Sequence, residues 1–137
     1  MTAMDSFTSL LEALEPDYNP DYWSDVVMHS VGTQLGALDQ EGWSRLMQEW
    51  KPRPVAWRLR LAGALVLVED PRAMDLLVAM LGAAEPAVGS AVAEALLEKG
   101  YRWSPEVSLL ADLERHLGQA APHEQEPIRR LMARLPA

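Results

Sequence analysis

Three apolar segments between residues 54 and 100, each opened by a proline, constrain the fold of this chain most strongly. The opening residues are Pro54, Pro71 and Pro86. Proline is tolerated in a first helical turn because the N–H that it lacks would be unpaired there. Gly82 and Gly100 close two of the segments, and glycine takes the left-handed cap conformation without steric penalty. Apolar residues recur at helical spacing within each segment, so the pattern predicts three helices with tight corners.

The first and third segments resemble each other at a spacing of 31 residues, from Trp57 to Val88. A period near thirty, with one helical hairpin per period, is typical of an α-solenoid. About a third of the chain is similar to a HEAT-like repeat of the phycocyanobilin-lyase type. The matching residues are Asp70, Pro71, Arg72, Ala73, Leu76, Leu77, Leu81, Pro86, Val88, Ala91, Ala95, Leu96 and Gly100.

This resemblance implies a HEAT-like fold and leaves the function open, because such repeats occur in lyases, adaptors and scaffolds alike. Family members usually carry a basic residue after the position of Trp57 and Val88. Arg58 fits that pattern, whereas Gly89 departs from it.

Helical periodicity continues on both sides of the repeat region, and no stretch of real length alternates with period two. We therefore expect an all-α fold of about eight helices in antiparallel hairpins, forming a short HEAT-like α-solenoid. The chain is expected to be a single domain, 1–137, with acidic N-terminal helices over 1–50 and a repeat region over 54–137. Residues 51–54 hold two prolines and make a stiff joint between them.

Flanking helices are predicted from the same signals. Asn19 and Pro20 should start a helix that runs to about Leu38, and Asp39 should cap the next one. The residues expected on the buried face of the first of these helices are Trp23, Val26, Val27, Ser30, Val31, Gln34, Leu35 and Leu38. After Gly100, Ser104 and Pro105 should open a helix with Val107, Leu109, Leu110, Leu113 and Leu117 inward, and Pro127 is interpreted as a late first residue of the last helix.

The net charge of −8 lies entirely in the first fifty residues, which hold nine acids and only one base, Arg45. The remainder holds eleven of each and is neutral. Such a surface argues against nucleic acid and anionic membrane as partners, and it favours a basic protein partner or simple solubility. Because cysteine is absent, the apolar runs are short, and residues 1–15 lack a basic leader, we expect a cytoplasmic protein without a secretory signal.

Few residues offer chemistry. His29 is expected on the surface, and Asp112 with His116 is interpreted as an exposed helical pair rather than a catalytic dyad. His116 and His123 lack a third ligand at a sensible spacing, so no metal site is predicted. The tryptophans Trp43, Trp50 and Trp57 lie on apolar faces and are expected to fill the core rather than to line a pocket. We therefore predict no enzyme activity and no cofactor.

The most distinctive stretch for binding packs three acids and three aromatic residues into positions 17–25. The candidate partner-binding residues are Asp17, Tyr18, Asp21, Tyr22 and Asp25. Exposed tyrosine beside carboxylate is typical of a protein-binding patch, since the ring supplies area and the acid supplies electrostatic steering. In the alternative interpretation, the two tyrosines pack across the first helical hairpin and the acids only solvate it.

These features favour a protein-binding module. In its small size, its acidity and its lack of catalytic motifs, the chain is similar to bacterial immunity proteins, which bind and occlude a cognate secreted toxin. The expected partner is therefore a basic toxin or enzyme domain. One alternative is a housekeeping adaptor or assembly scaffold that uses the concave face of the repeats. Another is a lyase-like protein that binds a small ligand in a pocket lined by the tryptophans.

Overall fold

A computed structural model describes residues 3–83, 85–100 and 109–134, with side chains from Phe7 onward. Within these ranges the protein has eight helices and no strand, which confirms the expected all-α fold. The helices are α1 (Ala3–Leu14), α2 (Pro20–Tyr22, continued through a π-helical turn Trp23–Val27 into Met28–Gly36), α3 (Gln40–Glu49), α4 (Val55–Leu65), α5 (Pro71–Met80), α6 (Pro86–Glu98), α7 (Leu109–Gln119) and α8 (Pro122–Met132).

The even-numbered helices pack side by side in the order α2, α4, α6, α8, and they form one continuous layer. The odd-numbered helices lie against this layer: α1 contacts α2 and α4, α5 contacts α4 and α6, and α7 contacts α6 and α8. Helix α3 packs on α1. The hydrophobic core therefore lies between the two sets of helices, and one surface of the even-numbered layer faces away from it.

The helix starts follow the polar and proline signals in the sequence. The side chain of Asn19 accepts hydrogen bonds from the N–H groups of Asp21 and Tyr22, at 2.9 and 3.5 Å. Asp39 and Asp70 cap α3 and α5 in the same way. Proline occupies the first turn of α2, α5, α6 and α8, where it costs no helical hydrogen bond.

The predicted cap conformation of Gly82 and the predicted helix start at Pro127 were wrong. Gly100 has the left-handed φ of 72° that a glycine cap requires, but Gly82 does not. The Gly82 N–H instead donates to Ala79 O at 3.0 Å, so α5 ends in a tightened turn. Pro127 lies inside α8 rather than at its start. The helix begins earlier because Pro122 takes the first position and the Glu124 carboxylate accepts the Ala121 N–H at 2.9 Å.

Three predicted inward residues, Ser30, Val26 and Leu110, also face solvent. Leu110 is exposed on α7, and its neighbours Leu109 and Leu113 take the buried positions. Val26 is half exposed because α2 contains the π-helical turn. That turn holds an extra residue, so side chains before and after it do not share one straight apolar face. The predicted helix start at Ser104 and Pro105, with Val107, falls outside the described residues.

The tryptophans predicted for the core are there. Trp43, Trp50 and Trp57 are each at most 4% exposed. Cationic groups cover their rings: the Arg72 guanidinium lies 5.5 Å from the Trp43 ring centre, and the Arg53 guanidinium lies 5.2 Å from that of Trp57. The contact between Arg72 and Trp43 joins α5 to α3.

His116 is completely buried, so its interpretation as an exposed partner of Asp112 was wrong. Its Nε2 lies 2.8 Å from Leu81 O, and since a carbonyl only accepts, Nε2 carries the proton. Asp112 pairs with Arg115 instead, at 3.3 Å. The His116 ring packs on Gly89, where an added Cβ would lie only 2.5 Å from the ring. The buried histidine therefore explains the glycine at the position where the resembled family carries a basic residue.

We predict that Leu65→Ala lowers the free energy of unfolding by about 2–5 kcal/mol, because Leu65 is fully buried and its truncation leaves a cavity. Leu110→Ala is the matched control, since Leu110 is exposed and should change stability by less than about 0.5 kcal/mol. Urea denaturation followed by circular dichroism measures both. Equal losses in the two variants would show that the core is wrongly placed.

A second prediction concerns the contact between α6 and α7. Gly89→Ala should destabilise the protein by about 1–3 kcal/mol, because the new methyl group overlaps the His116 ring. Gly118→Ala is the control: nothing lies within 4 Å of its added Cβ, so the alanine should be neutral or stabilising. Combining Gly89→Ala with His116→Ala should cost less than the sum of the two single losses. Additive losses in thermal melts would contradict the steric explanation.

Candidate functional site

The acidic–aromatic segment, residues 17–25, is positioned by the start of α2. Asn19 caps the helix and Pro20 takes its first position, so the backbone at residues 19–22 is fixed by local hydrogen bonds. The π-helical turn Trp23–Val27 follows at once. Such turns are rare in proteins overall, but those that occur are often found at functional sites. Here the turn decides which side chains of the segment face solvent.

Tyr18 has a structural role. Its hydroxyl donates to Ala13 O at 2.8 Å, and its ring stacks on Trp23 with centroids 5.7 Å apart. The hydrogen bond joins the connector to the end of α1, as the packing alternative expects. Tyr18 therefore acts mainly by holding the segment in place.

Tyr22 is the exposed aromatic residue of the segment. More than half of its surface is open to solvent, although its ring lies 6.1 Å from that of Tyr18. Val26, one turn further along α2, is also half exposed. Each of the two alternative interpretations therefore holds for one tyrosine: Tyr18 packs against α1, and Tyr22 presents its ring to solvent.

The three acids of the segment also differ in whether they have a partner within the protein. Asp17 is almost fully exposed, but its carboxylate lies 3.7 Å from the Arg60 guanidinium of α4. Asp21 and Asp25 are exposed. No ion pair among the described residues involves either of them. Their charges are therefore available to a partner, whereas that of Asp17 is partly neutralised.

The segment adjoins an open cleft on the outer surface of the even-numbered helices. Its volume is about 360 Å³, and it is lined by Tyr18, Pro20, Trp23, Ala56, Leu59 and Arg60. The Arg60 guanidinium donates to Leu14 O at 2.8 Å and to Glu15 O at 3.2 Å. This arginine is thus occupied within the protein, and the remaining wall of the cleft is mostly apolar.

A second depression continues from this cleft along α4. Its volume is about 370 Å³, and it is lined by Met28, Leu59, Gly63, Val66, Leu67, Ala91, Glu94, Ala95 and Glu98. Leu59 lines both depressions, and Trp23 Nε1 lies about 4.0 Å from where a Cβ on Gly63 would be. We call this second depression the α4 groove. It extends the surface of residues 17–25 across α2, α4 and α6.

Sequence reasoning named Asp21, Tyr22 and Asp25 as candidate binding residues and left open whether Tyr22 is exposed or packed; the structure shows all three exposed. It missed the α4 groove. Leu59 and Val66 were assigned to the helical apolar pattern; they are half-buried, and the neighbouring Leu67 is 40% exposed. The sequence does contain a signal for this groove, because residues 55–67 are apolar on more than one helical face. A helix that is apolar all round either is fully buried or offers a second face to something else.

An ion pair between a buried arginine and a partly exposed glutamate links α4 to the start of α6. Both terminal nitrogens of Arg58 on α4 donate to the Glu85 carboxylate at the start of α6, each at 2.8 Å. These hydrogen bonds hold the pKa of Glu85 below its ordinary value. Similarly, hydrogen bonds from the Arg72 side chain and backbone lower the pKa of Asp70 to about 2. Arg58 thus fixes the start of α6 against α4.

The remaining candidate chemistry is sparse in the part of the chain that the structure describes. His29 and His123 are exposed. No cluster of three metal-binding side chains occurs among the described residues. None of the described helices has the length and apolarity needed to cross a lipid bilayer.

A further depression of about 540 Å³ lies between α3 and α5. It is lined by Gln40, Trp43, Ser44, Met47, Gln48, Arg72 and Asp75. Trp43 is the only one of the three core tryptophans among these lining residues, and it is almost fully buried. The Arg72 guanidinium that covers it is held by Asp70 at 2.7 Å. The tryptophans as a group therefore stabilise the core.

Comparison with known proteins gave no match to a family model, to a curated protein or to a solved structure. The resemblance to HEAT-like repeats and the likeness to immunity proteins therefore stay predictions.

We predict that Glu85→Gln lowers the free energy of unfolding by about 1 kcal/mol at neutral pH, because Arg58 loses a charged acceptor that is partly solvated. The pKa of Glu85 is lowered in the folded protein, so its contribution is complete above the ordinary value of 4.5 and is lost as the pH falls further. The difference between wild type and variant should therefore shrink below pH 4.5.

Urea melts at several pH values measure this difference, and an Arg58→Ala background is the control. Without the guanidinium, Glu85→Gln should have little effect at any pH. A difference that grows on acidification would contradict the assigned role of the ion pair.

Proposed function

We propose that this protein is a non-catalytic protein-binding module that recognises a basic partner. Its binding surface comprises the exposed part of the acidic–aromatic segment, Asp21, Tyr22 and Asp25, together with the adjoining α4 groove. The observation that supports this proposal is the joint exposure of Tyr22, Asp21 and Asp25 within residues 21–25 of α2, with neither carboxylate in an ion pair of the described residues.

The physical roles of these groups are separate. Asp21 and Asp25 provide a long-range field that accelerates the approach of a positively charged surface. Tyr22 provides a large ring with few rotatable bonds, which contributes buried area at low entropic cost. The mechanism is occlusion: a bound partner has its basic surface covered, and no bond is made or broken.

Within this role, a bacterial immunity protein that neutralises a cognate secreted toxin is the favoured class. Small size and a strongly acidic N-terminal part support this choice. A basic toxin or enzyme domain is the corresponding partner. We retain the cytoplasm as the proposed location, since the toxin would act there.

An adaptor or assembly scaffold is the second candidate, and the α4 groove favours it, because the groove spans three neighbouring helices as an extended binding surface does. A neighbouring toxin gene would distinguish the first candidate from the second. The lyase-like alternative has less support, since the tryptophans expected to line its pocket lie in the core.

The test is capture of a partner with tagged protein, identification by mass spectrometry, and kinetic measurement by surface plasmon resonance at two salt concentrations. Asp21→Asn with Asp25→Asn should mainly slow association and flatten its salt dependence, because exposed charges act through steering. Tyr22→Ala should mainly accelerate dissociation. The expected loss of binding free energy is about 2 kcal/mol or more, the loss typical of an anchor residue.

The matched control is Glu114→Gln with Glu126→Gln, which removes two exposed charges from α7 and α8. It should leave both rate constants nearly unchanged. If the segment variants fold normally and bind a captured partner with wild-type kinetics, the proposed surface is wrong.

A further inference from the structure

The outward face of α4 is apolar over most of its length. Ala56, Leu59, Gly63 and Val66 follow one another at intervals of three or four residues and line the two adjoining depressions. With a rise of 1.5 Å per residue, this stripe is about 15 Å long, which corresponds to about three helical turns. The α4 groove and the adjoining cleft together therefore match the length of a short helix.

The floor of the α4 groove is made of small residues. Gly63 lies on α4, and Ala91 and Ala95 lie on the neighbouring α6. A Cβ added at Gly63 would meet Met28 Sδ at 3.5 Å, an ordinary contact distance, so the site has room for a methyl group. Small side chains let another backbone approach closely, so this floor fits an elongated segment that carries its own large apolar side chains.

Two carboxylates line the side of the groove formed by α6. Glu94 and Glu98 are one helical turn apart, and both are exposed. The ion pairs of the described residues include neither of them. Side chains four residues apart on a helix have Cβ atoms about 5–6 Å apart. Two basic side chains with the same spacing on a facing helix therefore complement this pair.

We propose that the occupant of the α4 groove is a basic amphipathic helix of about three turns in a partner protein. Its apolar stripe lies along Leu59, Gly63 and Val66, and two of its Lys or Arg residues, four positions apart, pair with Glu94 and Glu98. This inference rests on the proposed protein-binding function and names the structural class of the partner.

A second copy of this chain fits the groove less well. The net charge of −8 makes two copies repel each other. Helix α8 carries Arg129 and Arg130 on its surface, but its apolar residues Ile128 and Leu131 are fully buried in its own core. That helix has no free apolar stripe to insert into a neighbour.

The probe is a yeast-displayed library of helical peptides of about 16 residues, randomised on all faces and selected against the full-length protein. The expected binders share an apolar stripe at helical spacing and a pair of basic residues four positions apart. Individual binders are then synthesised with a fluorescent label, and their affinities are measured by anisotropy.

Four variants separate shape from charge. Gly63→Leu fills the floor of the groove and should weaken the selected peptides at least tenfold, or about 1.4 kcal/mol; Gly63→Ala is its control and should retain binding. Glu94→Gln with Glu98→Gln should weaken binding about tenfold at low salt and less at high salt. Glu114→Gln with Glu126→Gln should have no such effect.

Circular dichroism melts check that each variant folds, and Leu67→Lys, at an exposed position of the same groove, replaces Gly63→Leu if that variant does not. The proposal is overturned if no peptide is enriched, if enriched peptides lack the basic pair, or if the groove variants bind them normally. A dimer in analytical ultracentrifugation that Leu67→Lys dissociates would overturn it in favour of a second copy.

The experiments distinguish a failure of the proposed helical occupant from a failure of the proposed protein-binding function. A captured partner that responds to Asp21→Asn with Asp25→Asn but not to the groove variants would leave the protein-binding function standing and remove only the helical occupant. A captured partner that responds to neither set would overturn both the proposed binding surface and the helical occupant of the groove.

Discussion

Burial of α4 is the constraint on which the rest of the structure depends. This helix contacts α1, α2, α5 and α6, and its inner residues Leu61 and Leu65 have no exposed surface. Its outer face is also apolar, and among the described helices α2 and α6 flank it there. The same helix therefore organises the core on one side and leaves an uncovered groove on the other.

The corner between α5 and α6 is held by polar groups from both neighbouring helices. Arg58 of α4 binds Glu85, while Arg115 of α7 donates to Leu81 O and Ala83 O. Backbone carbonyls that no longer have helical partners are thus satisfied by long side chains. Because α6 follows this corner, these bonds also determine where its outer carboxylates lie relative to α4.

In the folded protein, bases from the second part of the chain lie next to some of the acids in the first fifty residues. Arg53 pairs with Glu15 at 3.1 Å, and Arg60 approaches Asp17 at 3.7 Å, so bases from the second part of the chain neutralise acids of the first. Asp21 and Asp25 keep their full charge, and they lie on α2 beside Tyr22. The effective acidic surface is therefore smaller than composition suggests, and it is adjacent to exposed apolar area.

The sequence by itself determined the helices and most of their starts, because caps such as Asn19 and Asp39 bond to backbone groups only two or three residues away. It also identified residues 17–25 as the distinctive surface. Only the tertiary structure decided that Tyr18 packs and Tyr22 is exposed, that His116 is buried against Gly89, and that the outer face of α4 is open. These outcomes depend on which distant helix covers a side chain, and periodicity within one helix carries no information about its neighbours.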